Sequence, residues 1–268
     1  LVPYGKTQVN YTLSIPAGSG YTLLYEIPQR KGYASLGYYS VEGTVRNKGE
    51  AEALDLREND MTDIDISLIQ DMTISGTIRL PQGTAPEGGI QVVVTATDES
   101  GNESSETVTI LEGESLVDYY LNVPPNAHNS GYKVRYSVSS NEYATLGYYS
   151  ESGTKVLADE ATLVDVSSGN AEDINLMLIE KKIVSGIVSI PEGVVGVGGL
   201  SVTINATSKL FSVDDTVTVI IPEGSSMVPY ILRVSPNVEG ADYILSYQVS
   251  GDAYINNGYY NEAATVVD

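Results

Sequence analysis

From Tyr132 to Val138 the chain alternates without a break: Tyr132, Val134, Tyr136 and Val138 on one side, Lys133, Arg135 and Ser137 on the other. Successive side chains of a strand point to opposite faces, so this pattern predicts a strand with one buried face. Comparable runs lie at Ile74 to Leu80, Ile90 to Ala96, Thr107 to Ile110, Val117 to Val123, Leu163 to Val166 and Ile174 to Ile179. Gly, Pro, Asn and Asp separate them, and no segment carries a helical period. Seven short strands in this arrangement predict an all-β, two-layer, Ig-like sandwich.

The pattern also repeats at a spacing of about 110 residues. "TISGTIRLPQGTAPEGGIQVVVTAT" from Thr73 matches "IVSGIVSIPEGVVGVGGLSVTINAT" from Ile183. "VDYYLNVPPN" from Val117 matches "VPYILRVSPN" from Val228 and, more loosely, "VNYTLSIPAG" from Val9. "GYKVRYSV" from Gly131 matches "GYTLLYEI" from Gly20 and "DYILSYQV" from Asp242, and the segment from Glu160 to Glu180 matches that from Glu52 to Gln70. This predicts three units: residues 1–70 holding only the later strands, residues 71–180 complete, and residues 181–268 lacking the last strand. The flanking units are expected either to be excerpts of a longer array or to be completed by neighbouring chains through strand pairing.

Aligned in this register, eighteen of the twenty tyrosines fall into six positions filled in every unit. These are Tyr11, Tyr119 and Tyr230; Tyr21, Tyr132 and Tyr243; Tyr25, Tyr136 and Tyr247; Tyr33, Tyr143 and Tyr254; and the pairs Tyr38-Tyr39, Tyr148-Tyr149 and Tyr259-Tyr260, each preceded by glycine. Tyr132 and Tyr136 share a face with Val134, which predicts core packing with the hydroxyls reaching a rim or a carbonyl. In each Gly-Tyr-Tyr, consecutive residues should face opposite ways, one ring inward and one outward. The six tyrosines Tyr38, Tyr39, Tyr148, Tyr149, Tyr259 and Tyr260 are therefore the candidate aromatics for packing between modules or for stacking on a polysaccharide.

Composition narrows the classes. The chain of 268 residues is 42% hydrophobic and 18% charged, an ordinary globular balance. Without a single Cys, disulfides, thiol catalysis and thiolate metal sites are excluded. A net charge of -21 argues against nucleic acid, whose phosphates need clustered Lys and Arg. No stretch approaches the roughly 20 apolar residues of a membrane span, and membrane insertion is not expected. The N-terminus has neither a Met nor a signal-peptide pattern and reads as a mature or excised piece.

Candidate chemistry is sparse, and no catalytic residues and no cofactor are expected. His128 is the only histidine and has no counterpart in the other units. Asp55, Asp165 and Asp268 recur at a strand end, where an aspartate caps a turn. Asp98, Ser100, Asn102 and Glu103, in "TDESGNESSE", are a calcium candidate, since hard cations take such oxygens. The corresponding loop of the last unit, "TSKLFSVDD", lacks that set, and a plain hairpin is the simpler reading. Lys6, Lys133, Lys155, Lys181 and Lys209 do not correspond between units, so no isopeptide crosslink is expected. Asn10, Asn102 and Asn205 head Asn-x-Ser/Thr sequons.

"GYYSESGTKVLADEATLVDVSSGNAEDINLMLI", with "SGTIRLP", "GGIQVVVTAT" and "GYKVRYSV", resembles the carboxypeptidase regulatory-like (transthyretin-like) β-sandwich repeats of secreted bacterial surface proteins. Tyr148-Tyr149, Ala161 to Val166, Gly169, Ile174-Asn175 and Leu178 stand where those repeats carry their aromatic pair, strand, turn and closing strand. The tight turn of the commoner version is replaced by "ILEGESLVDYYLNVPPN". The resemblance implies tandem seven-stranded modules of about 110 residues in a non-enzymatic extracellular stalk, adhesin spacer, surface layer or filament. Carbohydrate-binding accessory modules are the alternative it leaves open.

Overall fold

The computed structural model describes residues 6–27, 32–126, 130–208, 212–237, 242–250 and 257–260. Among the described residues every regular element is a strand apart from two 3-10 turns, Lys48–Glu50 and Ala158–Glu160. The N-terminal stretch carries β1 (Ser19–Thr22), β2 (Leu24–Glu26), β3 (Leu36–Tyr38) and β4 (Ala53–Asp55), with β1 antiparallel to β4 and β2 antiparallel to β3. The middle carries β5 (Met72–Arg79), β6 (Ile90–Thr97), β7 (Glu103–Ile110), β8 (Leu116–Val123), β9 (Tyr132–Val138), β10 (Leu146–Tyr148), β11 (Leu163–Val164) and β12 (Leu176–Met177). The C-terminal stretch carries β13 (Lys182–Ser189), β14 (Leu200–Ser208), β15 (Ser212–Ile221), β16 (Met227–Val234), β17 (Ile244–Val249) and β18 (Asn257–Tyr259).

In the middle stretch the strands form two sheets. One has the order β12-β5-β8, with β12 parallel and β8 antiparallel to β5. The other has the order β10-β9-β6-β7, with β11 also pairing β9. Alternate residues of both turn inward: Ile74 and Ile78, Val92, Val94 and Ala96, Tyr119 and Leu121, Val134 and Tyr136 are all but sealed from solvent in one cluster. Each Ile, Leu or Val among them contributes about 1.5–3 kcal/mol by leaving water.

The C-terminal stretch repeats the same neighbours: β13 lies beside β16 as β5 lies beside β8, and β15-β14-β17-β18 follows β7-β6-β9-β10. It encloses a second, separate cluster around Val202, Ile204, Ala206, Ile221 and Leu232. No described strand lies on the other side of β13.

Three differences from the sequence expectation have physical causes. The middle stretch has eight strands instead of seven, because Leu146–Tyr148 pairs with β9 although only three residues long. The strand expected at Thr107 to Ile110 starts at Glu103; its first half is a polar sheet edge that covers little, so no apolar alternation announces it. Residues 9–15, matched in sequence to β8, form no strand, and Val9, Tyr11, Leu13 and Ile15 are about half exposed. Strand β8 owes its regularity to eight paired positions on β5, and residues 9–15 have no such neighbour among the described residues.

Gly76 of β5 sets the closest approach in the middle sandwich. A Cβ there would lie 2.2 Å from the carbonyl oxygen and 2.5 Å from the carbonyl carbon of Ile174, both main-chain atoms that cannot rotate away. Gly76→Ala is therefore expected to cost about 2–3 kcal/mol, read as a lower urea midpoint with an unchanged slope. An unchanged midpoint would show that the closing segment does not pass over Gly76.

Candidate functional site

The recurrent tyrosines converge on one construction. Tyr136 pairs across the sheet with Gly147, Tyr25 with Gly37 and Tyr247 with Gly258. A Cβ on these glycines would lie 2.2 Å, 2.4 Å and 2.5 Å from the facing ring. The glycine of Gly-Tyr-Tyr thus makes room for the tyrosine opposite, which lies flat across the neighbouring strand.

That ring then carries its hydroxyl to the segment that closes the sandwich. Tyr136 Oη accepts from the Ile179 amide at 3.0 Å, and Tyr25 Oη from the Ile69 amide at 3.1 Å. Thr154 Oγ1 accepts from the Met177 amide at 2.8 Å, and Thr44 Oγ1 from the Ser67 amide at 2.9 Å. The Tyr119 hydroxyl donates to the Ile174 carbonyl, and the Tyr11 hydroxyl to the Ile64 carbonyl. The same three side chains hold two closing segments, residues 64–69 and 174–179. Asp63 and Asp173, which precede them, are the only non-glycine residues of positive φ among those described, at 59° and 60°. Aspartate tolerates this left-handed geometry better than most residues.

Burial pushes the Tyr119 and Tyr136 phenols well above their ordinary range. Tyr149 adds to the rise at Tyr119, while the Ile179 amide opposes it at Tyr136. Tyr25 is raised by the same desolvation, partly offset by the Ile69 amide. These phenols are held neutral because the interior cannot solvate a phenolate.

The Gly-Tyr-Tyr pairs do not divide into one inward and one outward ring. Tyr38, Tyr39, Tyr148 and Tyr149 are all half-buried, and Tyr259 and Tyr260 are both exposed. Strands β3, β10 and β18 end at the first tyrosine of each pair, so strict alternation stops there. Tyr148 instead exchanges two main-chain hydrogen bonds with Lys155, as Tyr38 does with Val45. Tyr149 donates from its amide to Val134 and accepts at its carbonyl from Thr162, as Tyr39 does with Leu23 and Glu52.

The acidic loop is organised from within. Asp98 Oδ1 accepts from the amides of Ser100 and Asn102, each at 2.9 Å, and Oδ2 accepts from Asn102 Nδ2 at 2.9 Å. Glu103 Oε1 faces Thr97 Oγ1 at 3.2 Å and Arg135 Nη2 at 3.3 Å. Among the described residues no group of three or more His, Asp or Glu is placed to hold a metal. Asp55 accepts from Arg57, and Asp165 from the Ser167 amide, both as turn-forming partners. His128, Tyr254, Lys209 and Asp268 lie outside the described residues.

Two sets of contacts leave little or no signal in the sequence. Arg46 reaches from the N-terminal stretch to the Pro125 carbonyl at 3.4 Å, the Tyr132 hydroxyl at 3.3 Å and the Asp98 carboxylate at 3.7 Å. Its counterpart one repeat later is Val156, so self-comparison passes over it. Buried Asn126 joins three segments, accepting from the Val166 amide and donating to Ser130 and Asp165. The shared "PN" of "VPPN" and "VSPN" was its only trace.

No family model matches the chain, and no curated protein matches it in sequence. Among solved structures, the fimbrial anchor protein Mfa2 from Porphyromonas gingivalis is similar at 10% identity and a TM-score of 0.36, over 66% of this chain and 78% of that one. The tip fimbrial protein Mfa3 from the same organism is similar at 9% identity and a TM-score of 0.31, over 72% and 83%. Likenesses at these TM-scores establish neither a shared fold nor a shared function.

Two expectations follow. Because the folded-state phenols of Tyr119 and Tyr136 are raised, the stability they contribute is complete below their unfolded value and is lost as pH climbs past about 10. An absorbance titration should show part of the tyrosine signal appearing only with cooperative loss of circular dichroism, and Tyr136→Phe should shrink that part while costing about 1–3 kcal/mol. Asp98→Ala should cost about 1–2 kcal/mol through its lost turn bonds, equally with and without millimolar calcium. A melting temperature that rises with calcium only when Asp98 is present would make the loop a cation site.

Proposed function

We propose that this chain is a non-enzymatic structural repeat region of an extracellular bacterial surface protein, serving as a stalk, adhesin spacer, surface-layer or filament subunit. One observation carries the reading: what recurs along the chain is the apparatus that closes a sandwich. Tyr25 and Tyr136, Thr44 and Thr154, Tyr11 and Tyr119 are each spent on main-chain groups of a closing segment. Residues kept in register at an active site would instead converge on a cleft with free polar atoms.

On this reading residues 71–180 are one complete module, 1–70 the later part of one and 181–268 the earlier part of another. The modules are tandem seven-stranded units of the transthyretin-like kind, with the short Gly-Tyr strand as an addition. Arg46 supports a fixed relation between successive modules, since its guanidinium spends three contacts on the next unit. An array of units, each touching its neighbours, gives length at low sequence cost, which is what a spacer needs. The net charge of -21 keeps such a surface soluble and self-repelling.

Antibodies raised against the chain should label intact cells of the organism that makes it, and brief protease treatment of those cells should remove the label. Labelling that requires permeabilised cells would sink the surface reading.

A further inference from the structure

The C-terminal sandwich carries an open apolar groove of about 670 Å³. Val188, Ile190, Val202, Tyr230, Leu245 and Tyr247 line it. Their counterparts in the middle sandwich are Ile78, Leu80, Val92, Tyr119, Val134 and Tyr136, all buried there. What covers those six in the middle sandwich is the closing segment, with Ile174, Leu176 and Leu178 buried against the same cluster.

The polar groups match as well. Tyr119 and Tyr136 spend their hydroxyls on the Ile174 carbonyl and the Ile179 amide; the Tyr230 and Tyr247 hydroxyls have no hydrogen-bond partner among the described residues. Gly76 clears the path of the Ile174 carbonyl, and at its counterpart Gly186 the atoms nearest the Cβ position belong to the Tyr230 side chain, at 2.8 Å, and not to main chain. On β5, main-chain groups of Thr73, Ser75 and Arg79 bond residues 171–178, and the Thr77 amide bonds Asn175 Oδ1. The corresponding edge of β13, at Ile183, Ser185, Ile187 and Ser189, has no strand beside it among the described residues.

We infer that this groove is a strand-acceptor site whose occupant is an extended peptide segment of closing-strand chemistry, laid parallel to β13. The residues 64–69 and 174–179 define that chemistry: Ile, then Asp or Asn, then Ile or Leu, a free position, Leu and Ile. The first, third and fifth side chains of the segment enter the groove, its first carbonyl accepts from Tyr230, and its last amide donates to Tyr247. A small molecule of the same volume would fill the apolar floor and leave the row of β13 main-chain groups unpaired; a strand satisfies both. The inference rests on the repeat assignment proposed above and is independent of where the protein resides.

The test uses the whole 268-residue chain and a fluorescent synthetic peptide, Ala-Glu-Asp-Ile-Asn-Leu-Met-Leu-Ile-Glu, the sequence of residues 171–180. Saturable binding is expected by anisotropy, with hydrogen-exchange protection appearing in β13 and β17. A peptide with Asp at both inner leucines should bind at least about tenfold more weakly, since each buried Leu carries more than a tenfold share. Gly186→Ala should weaken binding of the original peptide while leaving the circular dichroism of the free chain unchanged. Should that variant misfold, the peptide pair alone still decides. No saturable binding, equal binding of the two peptides, protection confined to other strands, or a self-associated chain that the peptide does not dissociate would each overturn the inference. Surface labelling of cells bears only on the function proposed above, so the two ideas fail separately.

Discussion

The middle sandwich depends on one close approach: the main chain at Ile174 crosses Gly76 at a distance that leaves no room for a methyl group. A chain that near the sheet cannot keep its carbonyl and amide groups hydrated, and each unpaired group would cost about 1–3 kcal/mol. Tyrosines supply the partners. Tyr119 reaches across β5 to the Ile174 carbonyl, and Tyr136 lies over Gly147 to meet the Ile179 amide. Two glycines make the space and two phenols fill it, so neither residue type can be exchanged alone.

This accounts for Tyr11, Tyr25, Tyr119 and Tyr136 in a chain that carries twenty tyrosines, one Phe and no Trp. A phenylalanine would supply the apolar area of the ring but not the hydroxyl at its far end, and the closing segment needs both. One of the two left-handed aspartates, Asp173, stands immediately before the segment whose strand β12 runs parallel to β5. The same logic accounts for the N-terminal stretch. Its closing residues 64–69 keep the three side-chain bonds although no strand lies against them among the described residues, so those bonds do not depend on described sheet pairing.

Much of the fold was legible because it obeys the period of a strand. The alternation at Tyr132 to Val138 and the match of Thr73 to Ile183 place strands and register directly. What escaped were elements whose stabilising partner lies elsewhere. The first half of β7 is polar, β10 is only three residues long, and Arg46 bonds groups in the next stretch without a counterpart of its own. Of the candidate site, the six tyrosine positions were visible, but their faces and partners were not. The expectation of one outward ring in each Gly-Tyr-Tyr failed because the strands stop at the first tyrosine.

The sequence by itself determined an all-β chain, the matching segments spaced about 110 residues apart and the recurring tyrosines, since periodicity and self-similarity are properties of one chain read in order. Only the tertiary structure decided what the tyrosines do. Tyr119 and Ile174 are 55 positions apart and Tyr136 and Ile179 are 43, and hydrogen bonds at such separations exist only once two sheets have packed. Packing also decided that the Gly-Tyr-Tyr motif serves a neighbouring ring: the glycine answers to a side chain on another strand, whose position no local pattern encodes.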